Sequence, residues 1–186
     1  MTKQQRRWQS ELNGGILNWK KIYSHVYSIT SDFELRWFQY RLLQRILPTN
    51  RLLYLYRLVD KDECTFCPGI PETNIHAFWH CRQTKNFWVQ FKTLLGLREE
   101  LDLKTIITGI CRQQEEFSPQ AIALCILLAK RYLWRSRKAA RSPNVLGFVP
   151  TLIGYIRVER YVAAIEGKVE GFLALWSSIL ERIGIG

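Results

Sequence analysis

The chain has 186 residues, 47% of them apolar and 13% aromatic, a composition that supports a packed core and excludes a disordered polymer. Its formal charge of +11 and pI near 9.7 point to a phosphate-rich partner or an anionic surface. The longest apolar runs, such as "AIALCILLA" at 121–129, are too short to span a bilayer; "MTKQQRRWQSELNGG" lacks the apolar stretch of a signal peptide; and five unevenly spaced cysteines suit metal-bound thiolates in a reducing, intracellular compartment better than a disulfide framework.

Residues 1–18 are polar, run through Gly14-Gly15, and are expected to fray. Trp19, Ile22, Tyr23 and Val26 then follow at helical spacing. Ser31-Asp32 reads as an N-cap for a helix over 33–47, with Leu35, Phe38, Leu42, Leu43 and Ile46 as its apolar stripe and Pro48 as its stop. Thr49 or Asn50 can cap a following helix over 51–59. After "DKDE", Pro68, Gly69 and Pro71 make the middle of the next segment a turn, and Thr73 or Asn74 can cap a short helix carrying His76. A helix over 85–97 closes near Gly96.

Ser118-Pro119 is a cap with proline at the first helical position, and the helix behind it runs to about residue 141, apolar all round in its first half and basic in its second. Ser142-Pro143-Asn144 ends it. From about Pro150 the pattern is one long helix or two shorter ones broken at Gly167, with Ile165, Val169, Phe172, Trp176, Ile179 and Ile183 on the apolar face. No convincing strand or internal repeat is present. The expected fold is mainly α: a helical region over 19–97 with a small zinc-binding module inserted at 63–81, then a basic helical region over 98–186.

The chemistry concentrates in "ECTFCPGIPETNIHAFWHC", residues 63–81, which holds three of the five cysteines and two of the three histidines. The segment 61–100 carries as many acidic as basic residues, whereas 1–60 has ten Lys/Arg against four Asp/Glu and 101–186 has twelve against seven. The spacing Cys64-x2-Cys67-x8-His76-x4-Cys81 can place two thiolates of a turn and two helical donors around one ion, and soft thiolates with an imidazole select Zn2+. On an unbroken α-helix His76 and His80 share a face, favouring two cysteines and two histidines; a helix that ends or loosens near Cys81 admits that thiolate instead. Either closed site is a folding staple with no position left to activate water. Cys111 and Cys125 lie in apolar helical contexts without a His/Asp partner, and His25 stands alone, so no catalytic centre is expected and no small-molecule substrate is implied.

The stretches "LRWFQYRLLQRILPTNRLLYLYRL", "CTFCPGIPETNIHAFWHC" and "TKNFW" together resemble the zinc-binding region at the C-terminal end of LINE-type, non-LTR retrotransposon reverse transcriptases. The features that carry the resemblance are Trp37, Leu47-Pro48-Thr49-Asn50, Cys64 and Cys67, Glu72-Thr73 with His76, Phe78 and Cys81, and then Trp88, spanning roughly 19–92. It implies Cys81 as fourth ligand, with His80 outside the set. It also implies RNA, with target DNA as a further ligand, and the polymerase part of the same element-encoded protein as partners, in cytoplasm and nucleus. The chain has no Asp-Asp pair for a polymerase metal site and no endonuclease residues, so it resembles the detached tail of such a protein, non-catalytic alone. The expected phosphate contacts are Arg36, Arg41, Arg45, Arg51 and Arg57 in the first half and Lys130, Arg131, Arg135, Arg137, Lys138 and Arg141 in the second, with Arg131, Arg135 and Lys138 on one face. Tyr132, Trp134, Phe78 and Trp79 could stack on bases or pack in the core. The alternative function is a helical scaffold that docks its 150–183 region on the polymerase part.

Overall fold

Thr2 starts the first helix by accepting the Gln5 amide N–H while the Gln5 side chain accepts from the Thr2 backbone, a reciprocal cap. The computed structural model describes residues 1–12, 16–111 and 117–184, so Gly14-Gly15 lie outside the described residues. The N-terminus is not frayed: α1 (Lys3–Glu11) buries Trp8 completely, and its indole Nε1–H donates to the Leu43 carbonyl at 2.9 Å. A single buried aromatic in a polar run is invisible to periodicity, which is why the sequence reads as loose there.

In α2 (Trp19–Ile29), Ile22, Val26 and Ile29 face inward at helical spacing. Asp32 caps α3 (Phe33–Leu43) by accepting the Leu35 N–H at 3.1 Å, and Leu35, Phe38, Leu42 and Leu43 are buried as expected. The helix stops before Pro48, however, and Ile46 is exposed beyond its end. Arg45 takes a left-handed φ of 58°, and Ile46 N–H closes back on the Arg41 carbonyl at 3.0 Å. This six-to-one closure normally uses glycine. Here the Arg45 guanidinium lies 3.6 Å from the Trp8 ring centroid and pairs with Glu11, so α1 holds the turn.

Thr49 caps α4 (Asn50–Leu55), which is shorter than the expected 51–59 and ends the same way at Arg57, φ 56°. An antiparallel hairpin that the sequence did not suggest follows, β1 (Glu63–Cys64) and β2 (Cys67–Pro71), then a π-helical turn (His76–His80) and α5 (Arg82–Leu95), closed by Gly96 at φ 65° as its sequence suggests. The short α6 (Leu103–Thr108) was also not anticipated. α7 (Pro119–Lys138) begins at the Ser118-Pro119 cap and buries every residue from Ala121 to Lys130. α8 (Val145–Ile165) starts ahead of Pro150, because Asn144 accepts the Gly147 N–H at 2.8 Å; Pro150 is carried on the exposed side of the second turn. Gly167 at φ 68° breaks the chain before α9 (Val169–Arg182), where Phe172, Trp176 and Ile179 are buried while Ile165 and Val169 are exposed.

The fold is mainly α, with α7 as its axis, packed against α2, α3, α8, α9 and the π turn. One apolar core runs through both halves: Phe78 of the Cys/His segment stacks on Trp134 of α7 at 6.1 Å and meets Phe38 of α3 edge-on. The two helical regions expected on either side of residue 97 therefore share their interior. Among the described residues no helix is long and apolar enough to cross a membrane.

Candidate metal centre

The hairpin places the first two thiols. Cys64 and Cys67 are cross-strand neighbours, and the Phe66 N–H points at Cys64 Sγ from 3.4 Å. Asn50 of α4 fixes the hairpin by donating its side-chain N–H to the Glu63 carbonyl at 2.7 Å, and the Glu63 carboxylate accepts the Gly69 N–H at 3.1 Å. Gly69, at φ 78°, lies within β2 in the irregular stretch between the paired residues Cys67 and Pro71, where a left-handed backbone suits glycine.

The second pair depends on the π turn. Thr73 accepts the His76 N–H at 3.1 Å and so starts the helical segment. The Cys81 N–H then donates to the His76 carbonyl at 2.8 Å, five residues back rather than four. On an α-helix, residue 81 would lie about 140° round from residue 76, since each residue turns about 100°. Closure over five residues brings it to the same side. At Cys81 the backbone turns extended, φ −57° and ψ 133°, and becomes the cap of α5. Carbonyls released by the wider turn find side chains: Thr84 Oγ1 donates to Ala77 and Trp88 Nε1 to Phe78, both at 2.8 Å.

The outcome is a cluster in which one ligand atom from each of Cys64, Cys67, His76 and Cys81 lies within 4.8 Å of the others. His80 stays exposed and outside it, so the geometry answers the question of the fourth donor that spacing left open. The Cys64 and Cys81 sulfurs are 3.9 Å apart and those of Cys67 and Cys81 3.7 Å. The hydrogen bond from Cys64 holds the Cys81 thiol well below its usual range, helped by His76 and by N–H groups at the α5 N-terminus, while the same contact and burial push Cys64 up. Three sulfurs and a buried imidazole this close, with no lysine or arginine among them, make a donor set that a divalent ion satisfies. The other thiols contrast: burial pushes Cys111 up to about 12 and raises Cys125 as well, so both stay protonated, Cys125 inside α7 and Cys111 half-buried in the coil after α6 rather than on the helix its sequence suggests.

Sequence reasoning missed the brace behind the cluster. Glu72 is fully buried, accepts the Asn50 N–H at 2.7 Å and forms an ion pair with Arg137 of α7. Arg137 also donates to the Pro48 carbonyl at 3.2 Å and lies 4.2 Å from the Trp134 ring centroid. Only the isolated Glu in an otherwise uncharged stretch could have signalled this.

The expected phosphate contacts divide accordingly. Arg45 and Arg137 are committed to internal pairs, and Lys130 is fully buried, donating to the Gln39 side chain at 2.7 Å; none of the three can reach a polymer. Arg51 pairs with Asp62 at 2.6 Å, and Arg57 serves the turn after α4. Arg36 and Arg41 border one face of α3. Arg131, Arg135 and Arg141 line a groove of about 1100 Å³ between α3, α7 and α8, with Lys138 exposed on the same helix. In that groove Glu34 faces Arg131 at 3.5 Å, Asp32 is occupied by the α3 cap, and Glu159 of α8 adds a third carboxylate to the lining. Of the proposed stacking rings, Phe78 and Trp134 belong to the core, and Tyr132 and Trp79 are half-buried against it.

No family model matches the chain, and no curated protein matches it in sequence. The reading of the centre therefore rests on its donors and their geometry.

Proposed function

We propose that the chain is a zinc-stapled helical module that binds RNA, non-catalytic by itself, and that it serves as the C-terminal part of a non-LTR retrotransposon reverse transcriptase. The observation that carries this reading is a three-cysteine, one-histidine cluster fastened by a buried ion pair to α7, the helix that presents basic residues to solvent: Glu72 follows the hairpin, Arg137 lies on α7, and Arg131, Arg135 and Arg141 line the groove beside it, facing Asp32, Glu34 and Glu159. Zinc is the ion this donor set selects, since thiolate softness disfavours magnesium and calcium. RNA is preferred as ligand because Arg135, Lys138 and Arg141 have no carboxylate partner among the described residues, leaving charge for phosphates. The resemblance in 19–92 supplies the family, and with it RNA assembly in the cytoplasm and action in the nucleus.

The test joins metal analysis to binding. Purified protein is expected to carry one zinc per chain, and Cys64→Ser and Cys81→Ser to lose it, while His80→Ala retains it. Binding to a structured RNA should weaken about 40-fold between 50 and 200 mM salt, as three phosphate contacts, by Arg135, Lys138 and Arg141, imply. Metal-free protein of unchanged stability, or RNA affinity indifferent to salt, overturns the proposal.

A second reading, docking on the polymerase part of the same protein, is favoured by the exposed Val158, Tyr161, Val162, Ile165, Val169 and Leu173 on α8 and α9. Tight association with a separately expressed polymerase fragment, without an RNA shift, would select it.

A further inference from the structure

α3 is apolar on two sides. Its buried side holds Leu35, Phe38, Leu42 and Leu43, and at the opposite side Phe33, Trp37 and Tyr40 recur at i, i+4 and i+7 in solvent, 71%, 43% and 41% exposed. The Trp37 and Tyr40 rings are stacked, with centroids 5.4 Å apart and planes 13° from parallel. Arg36 and Arg41 lie on the two borders of this strip. Arg36 is steadied by neutral acceptors, donating to the Thr30 and Tyr27 carbonyls at 2.6 and 3.3 Å, and the Arg41 guanidinium sits 5.9 Å from the Trp37 centroid. Among the described residues neither has a carboxylate within ion-pair distance, so both charges stay available.

Flat rings stacked in solvent with uncompensated guanidinium groups on either side match one ligand chemistry, a run of unpaired nucleobases joined by phosphates. An apolar protein surface would use the rings but leave two cations without partners, whereas a nucleic-acid strand uses both. We infer that the Phe33–Trp37–Tyr40 face of α3 is a stacking platform for single-stranded RNA, with Arg36 and Arg41 holding the phosphates on its borders. This rests on the RNA-binding reading above and adds to the α7–α8 groove a second contact that takes bases. Glu34 of α3 faces Arg131 of α7, so the two surfaces meet at that pair.

The experiment compares two fluorescein-labelled 12-mers, an oligouridylate RNA and an abasic strand with the same phosphates, binding to the full chain. Wild type is expected to bind the oligouridylate at least 10-fold more tightly than the abasic strand. Trp37→Ala/Tyr40→Ala should remove that preference and leave the abasic affinity unchanged, and Trp37→Phe/Tyr40→Phe should keep most of it. Arg135→Ala/Arg141→Ala should weaken both strands alike. Equal wild-type affinity for the two strands overturns the platform and leaves the groove standing. Failure to bind either strand overturns both readings. If the alanine pair dissociates an oligomer in sedimentation without changing either affinity, the face is a protein contact and the platform is overturned.

Discussion

Lys130 is a cation inside the core. It is fully buried, and its ammonium donates to Gln39, whose own amide donates to the Ile107 carbonyl at 2.9 Å. Burial lowers its pKa to about 7 from the usual value of 10.5. The folded state therefore binds fewer protons than the unfolded chain between about pH 7 and pH 10.5. Stability rises with pH across that window and is lowest, for this group, below it. At about 1.4 kcal/mol per unit the effect amounts to a few kcal/mol. Lys130→Met should thus be more stable than the parent in urea titrations at pH 7, with the difference closing by pH 10. A gap that does not change with pH would mean the ammonium is solvated. The same residue shows the limit of reading charge from sequence. The run Lys130 to Arg141 reads as six candidate phosphate contacts, with only Arg131, Arg135 and Lys138 on one face, but a 20-residue helix at the centre of the fold has no side without neighbours near its middle, and only its last turns emerge.

At the scale of elements, helix ends were the hardest to read. Gly96, Gly109 and Gly167 mark left-handed turns that the glycine rule finds, but α3, α4 and α7 end on Arg45, Arg57 and Ala140, at φ 58°, 56° and 50°. Each is followed by a six-to-one closure, Ile46 to Arg41, Leu58 to Leu53 and Arg141 to Ser136. Ala140 is exposed and has no compensating contact of the kind Arg45 has with Trp8, so Ala140→Gly should raise the unfolding free energy by about 0.5–1 kcal/mol in chemical denaturation. No change there would place the turn outside the cooperative unit. The Cys/His segment was legible in its donors but not in its geometry. The spacing of His76, His80 and Cys81 suits two helical periods equally, and the wider turn is accommodated by Thr84 and Trp88 of the following helix, whose side chains take up the released carbonyls without any mark in the Cys/His spacing itself. The hairpin escaped notice because five residues containing two prolines and a glycine have no alternation to detect.

For the whole molecule the decisive link is the buried pair between Glu72 and Arg137. It fastens the base of the hairpin to α7 and, through Asn50 and Pro48, to the start of α4. Removing one partner leaves the other charge buried, so Glu72→Gln and Arg137→Met should each destabilise the protein by about 3 kcal/mol, measured in urea. The pair Glu72→Gln/Arg137→Met should lose less than the two single changes together, because no orphan charge remains. Additive losses would show that the two groups act independently. The interleaved core has an evolutionary corollary. With Phe78 lying against Trp134, a change of ring size on one side demands an answer on the other. Any descendant of this chain must inherit its thiol-bearing segment and its long axial helix together, and neither can be exchanged as a cassette.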